Sequence, residues 1–84
     1  MSAIALSGEL GFATATALLK AHAGATAPVL DLSGVTRVDS AGLALLLELK
    51  RESKAPGGLR LENAPTQLRR LSDFFDLSSL LNLA

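Results

Sequence analysis

The sequence has no cysteine, no tryptophan and no tyrosine, and it has one histidine. Without cysteine there is neither a disulfide framework nor a thiolate metal site. Without Trp or Tyr, the aromatic platforms on which single-stranded bases stack are missing. His22 has no neighbour at metal-ligand spacing and reads as a helix residue, packed or at the surface. No metal and no cofactor are expected. Charge of one sign is lacking too, since eight basic and eight acidic side chains cancel. No overall field steers such a chain to nucleic acid or to an acidic membrane surface. No apolar run approaches the roughly 18 residues that a spanning helix needs. The amino terminus has no basic stretch leading into an apolar one, so no secretory signal is read. The expected location is the cytoplasm, with any membrane association made through a partner.

Phosphate-cradling glycine loops are also absent, because neither GxGxxG nor GxxxxGK[ST] occurs. Asp31 and Asp39 fall on different predicted elements and could meet at strand ends as paired acids. No basic or aromatic substrate-binding residues accompany them, and the chain reads as a non-enzyme. Arg60, Arg69 and Arg70 read as solvated positions.

What the sequence does contain is apolar and ordered by pattern. The 84 residues are expected to form one small domain, spanning residues 1–84, and 49% of them are hydrophobic. That fraction supports a core and argues against disorder. Ala3–Ser7 reads as a strand with Ile4 and Leu6 on one face. Gly8 and Gly11 bracket an expected turn. Residues 12–23 read as a helix whose core stripe holds Phe12, Ala15, Leu18 and Leu19, stopped by Gly24.

The densest apolar stretch is Val29 to Lys50. Val29–Leu32 reads as a central strand, Ser33-Gly34 as a turn, and Val35–Val38 as a second short extended piece. Asp39-Ser40 then introduces a helix running from Gly42 to Glu52. Aspartate and serine are favoured there because their oxygens accept the free amides of the first turn. The same free amides and the helix dipole also favour a phosphate. Pro56-Gly57-Gly58 closes the unit. Leu59–Asn63 alternates as an edge strand. Pro65 opens a helix with Leu68, Leu71 and Phe75 on one face. The segment 77–83 is apolar but interrupted by Ser78, Ser79 and Asn82. The order strand, helix, strand, helix, strand, helix predicts an α/β fold: a small mixed sheet with helices packed mainly on one face.

The run LDLSGVTRVDSAGLALLL, Leu30 to Leu47, resembles the signature of the STAS family, shared by sulfate transporters and anti-sigma factor antagonists. Gly8-Glu9-Leu10 is similar to that family's first strand-to-helix turn, and Leu68–Leu77 to its last helix. The resemblance implies a STAS-like fold and a protein-binding role. RVDSAGLALLLELK is most similar to the STAS subunit of Mla-type ABC transporters, which move phospholipid between the membranes of Gram-negative bacteria. That likeness implies an accessory subunit held to the inner membrane through the transporter. Its partner would be the ABC transporter ATPase subunit, gripped through Arg37, Asp39, Ser40, Ala41, Gly42 and Leu43. The small residues Ala41 and Gly42 are expected to let a partner approach closely, with exposed apolar groups on the first helical turn. The alternative is an anti-sigma factor antagonist whose partner is an anti-sigma factor kinase that phosphorylates Ser40. That family's turn continues Gly-Glu-Leu-Asp, whereas Gly11 stands here in place of the acid.

Overall fold

A computed structural model describes residues 3–83. Strands β1 (Ala3–Leu10), β2 (Val29–Val38) and β3 (Arg60–Glu62) form a sheet in the order β1-β2-β3. Helix α1 (Ala15–His22) joins β1 to β2, and α2 (Ser40–Glu52) joins β2 to β3. Helices α3 (Thr66–Phe74) and α4 (Ser78–Leu81) follow. The α/β class and the central place of β2 stand as expected. The expectation of a mixed sheet is narrowed: among the described residues both pairings are parallel. A helical crossover joins each pair, which is the connection that parallel neighbours require.

The expected turn at Ser33-Gly34 does not form. The segment is one continuous strand containing two bulges. Ala5 pairs with Asp31 and Ser7 with Gly34; Gly8 pairs with Val35 and Glu9 with Arg37. Each shift leaves one extra residue on β2. The core-facing row of β1 is therefore Ile4, Leu6, Gly8, Leu10, at regular alternation. Its counterpart on β2 is Leu30, Leu32, Val35, Val38, stretched by the extra residues. Those four β2 residues and Leu6 and Leu10 are buried, whereas Ala3, Ala5, Ser7 and Glu9 are exposed on the opposite face. The helices thus cover one side of the sheet. β1 also runs through the expected turn to Leu10, with Gly8 absorbing a φ of +75° that a side chain would resist.

Helix α2 lies at the centre of the helical layer. It buries Leu43, Leu45, Leu46 and Leu49 against Leu6, Leu10, Leu30, Leu32, Leu61, Leu68 and Leu81 in one cluster. The helix stops at Glu52, before Pro56, where the Ser53 amide donates to the Lys50 carbonyl at 3.4 Å. Lys50 Nζ donates to the Leu81 carbonyl at 3.0 Å and ties the short α4 to α2. Residues 77–83, open in the sequence reading, thereby gain a core role through Leu81.

Helix α1 begins at Ala15, later than the apolar periodicity suggests. Phe12 was expected on the core stripe, and it is 88% exposed. The cause is local. Thr14 Oγ1 accepts the Gly11 amide at 3.1 Å and donates to the Glu9 carbonyl at 2.8 Å, fixing a turn ahead of the helix.

Candidate functional site

The site stands where β1 and β2 end and α2 begins. Asp39 caps α2: its Oδ1 accepts the Gly42 amide at 3.0 Å. Its Oδ2 accepts the Phe12 amide at 3.2 Å, and its own amide donates to the Leu10 carbonyl at 3.1 Å. One carboxylate therefore closes a helix start and pins the Gly11–Thr14 turn to it. The Gly42 and Phe12 amides hold the Asp39 carboxyl below its ordinary value, with smaller help from the Ala41 amide and the Arg37 charge.

The structure separates the six predicted contact residues. Arg37, Asp39 and Ser40 are exposed and Ala41 is half-buried. The Ser40 hydroxyl, on the first residue of the helix, makes no hydrogen bond among the described residues. Gly42 and Leu43 correct the expectation. A Cβ on Gly42 would lie 1.9 Å from the Leu10 carbonyl oxygen, so this glycine is small to admit the chain's own β1. Leu43 is 3% exposed and belongs to the core. The apolar side chains of the first turn point inward and leave no greasy rim on that turn.

Exposed apolar surface lies further along. A shallow groove beside Ser40 is floored by Leu43 and walled by Ala44, Leu47, Phe75 and Leu77. Phe75, expected on the buried face of α3, is 46% exposed and meets Phe74 edge-on, with ring centroids 5.1 Å apart. Phe74 is 81% exposed. Sequence reasoning missed Phe74, and also Gln67, whose Oε1 accepts the Val38 amide at 2.9 Å. The short β3 pairs only with Val29–Asp31, so β2's far edge is open at Val38, and Gln67 fills it. The adjacent Phe74-Phe75 pair, in a chain with three phenylalanines, was the available signal.

Asp31 does not meet Asp39. Both lie along one extended path, roughly 25 Å apart at about 3.3 Å per residue. Asp31 Oδ1 accepts Asn63 Nδ2 at 2.9 Å and the Ser33 amide at 3.0 Å. The acid pairing considered from the sequence is withdrawn. Arg60 pairs with Glu62 at 2.8 Å rather than joining Arg69 and Arg70 in a patch.

Parallel strands joined by helices, with a capped and accessible helix start at the strand ends, define the class to which the molecule belongs: a small α/β module with its helices on one side of the sheet. A crystal structure of a sulfate transporter family protein from Wolinella succinogenes matches it with a TM-score of 0.65. The match covers 95% of this chain and 70% of that one, at 19% identity, and shows the shared fold. The model of the family described as "Mlab, STAS domain" matches residues 1–82, and the chain belongs to that family. STAS domains are generally non-catalytic, and membership supports an accessory or regulatory role. No curated protein sequence matches the chain. Among the described residues no helix is long and apolar enough to cross a membrane.

Proposed function

We propose that the chain is a non-catalytic accessory subunit that docks on the cytoplasmic ATPase of an Mla-type phospholipid ABC transporter. It would sit at the inner membrane through that complex. The observation that carries this reading is the groove beside Ser40. It joins an unbonded hydroxyl, Ala44 and Leu47 on α2, and the exposed Phe75, against which the Phe74 ring stands edge-on outside the lining. Aromatic side chains presented around a small-residue helix start are the composition of a protein-binding core. The family's description, "Mlab, STAS domain", supports the Mla part of the reading.

The docking centre moves from the one expected. Ser40 and Ala41 remain in it, with Arg37 and Asp39 at its edge. Gly42 and Leu43 shape it from beneath, and Ala44, Leu47, Phe74 and Phe75 extend it. Ser40→Arg places a long charged side chain at the groove's mouth without touching the core. Binding of the purified ATPase is expected to be lost, with the circular dichroism spectrum and melting temperature unchanged. Wild-type retention of the ATPase by the folded variant would place the interface elsewhere.

One observation favours the alternative, an anti-sigma factor antagonist switched by phosphorylation of Ser40. The Ser40 hydroxyl is accessible, at the start of a thirteen-residue helix whose amides and dipole stabilise a phosphate. The missing acid at Gly11 has a steric account here. A Cβ on Gly11 would lie 2.7 Å from Asp39 Oδ2, so any larger residue there must displace the carboxylate that caps α2. Intact mass after incubation with the host's anti-sigma factor kinases and ATP separates the readings. A phosphate adduct lost in Ser40→Ala supports the switch.

A further inference from the structure

We infer that the Gly11–Thr14 turn is the second half of the docking surface, with Phe12 an anchor that enters an apolar socket on the partner rimmed by Lys or Arg. This inference rests on the ATPase-docking reading.

Phe12 is the most exposed large apolar side chain of the described residues, at 88%. Such a ring gains much by burial, because most of its apolar surface is in water. Its backbone is not free to retract. The Phe12 amide is held by Asp39 Oδ2, the Gly11 amide by Thr14 Oγ1, and the Thr14 hydroxyl by the Glu9 carbonyl. The Thr14 and Ala15 amides both donate to the Gly11 carbonyl, at 3.0 and 2.8 Å. A turn backbone held by five hydrogen bonds loses little further freedom on binding, so the cost of ordering this anchor falls on the ring's own rotamer alone. Asp39 also caps the helix that begins with Ser40, so the turn is tied to the helical wall of the groove.

Charge sets the partner's chemistry. The cleft beside the ring is lined by Glu9, Gly11, Phe12, Ala13, Thr14 and Asp39, and it holds no cation. Asp39 is engaged by amides, while the Glu9 carboxylate is exposed and makes no ion pair or hydrogen bond among the described residues. Arg37 pairs with Glu9 across the strands and lines an adjoining cleft that Glu9, Gly11 and Asp39 share with Gln67, but it forms no ion pair with Glu9 among the described residues. An apolar socket with a basic rim matches both features. Asp39 is then a positioning residue, acting through the turn.

The test measures the affinity of the full chain for the purified ATPase subunit of the source organism's Mla-type transporter. Four proteins are compared: wild type, Ser40→Arg, Phe12→Ala and Glu9→Lys. Phe12→Ala is expected to weaken binding at least about tenfold, and Glu9→Lys to weaken it and reduce its salt dependence, with melting temperatures unchanged. If Ser40→Arg abolishes binding and Phe12→Ala binds as wild type, the second anchor is overturned and the docking reading stands. If Phe12→Ala weakens binding and Ser40→Arg does not, the turn is the contact and the groove reading fails. Wild-type protein that does not bind the ATPase overturns both. Binding lost in Phe12→Ala but unchanged in Glu9→Lys overturns the basic rim.

Discussion

Gly42 shows how a single missing side chain can be read in two directions. From the sequence, a small residue after Asp39-Ser40-Ala41 looks like room for a partner. In the structure the room is taken by the Leu10 carbonyl, 1.9 Å from where a Cβ would lie. The sequence reveals that closeness is needed but not which surface needs it, because β1 is distant in the chain. Gly42→Ala must push α2 away from β1 and is expected to cost at least about 2 kcal/mol, read from urea denaturation. Gly11 is less constrained, since the neighbour in the way is the end of the Asp39 side chain and not backbone. Asp39 itself was legible, because a helix cap is a local relation and its partner Gly42 lies three residues on. Its second bond, to Phe12, was not legible, since nothing local links the two.

At the scale of elements, helix α2, the centrality of β2 and the edge position of β3 all followed from apolar patterning. The errors lie where side chains or bulges break a period. Residues 33–37 lose strict alternation, and Gly34 imitates a turn. The paired bulges explain the pattern: the core row steps from Leu32 to Val35 to Val38 while β1 keeps its regular step. Deleting Thr36 should therefore remove the second bulge and leave the ladder regular from Val35 onward, with Val35 and Val38 still inward. Deleting Asp31, in the regular part, sends Leu32 to the open face. The first variant is expected to retain the native circular dichroism spectrum and a cooperative melt, and the second to lose both. The late start of α1 has the same kind of origin. Phe12 fits the helical stripe, but Thr14 and Asp39 take the amides of residues 11 and 12 for a turn.

Across the whole molecule, acid should act through several exposed carboxylates together. Hydrogen bonds lower Asp31, first from Asn63, and Asp39, first from Gly42; the Arg51 guanidinium lowers Glu48. A carboxylate with a depressed folded value binds fewer protons folded than unfolded. Its contribution is fully present above the unfolded value of about 4 and is lost as pH falls through the lower folded value. Stability is expected to be flat from pH 7 to about 5 and to decline below about 4. Urea midpoints across that range check this, and Asp39→Asn should make the acid decline shallower. The helical layer covers a single side of the sheet, and on its other side β1 shows the short side chains of Ala3, Ala5 and Ser7 beside Glu9. A chain free of thiols could thus carry one engineered cysteine at Ala5, on the flank turned away from the groove. A dye attached there would follow docking by tumbling rate alone, without standing between the molecule and what grips it.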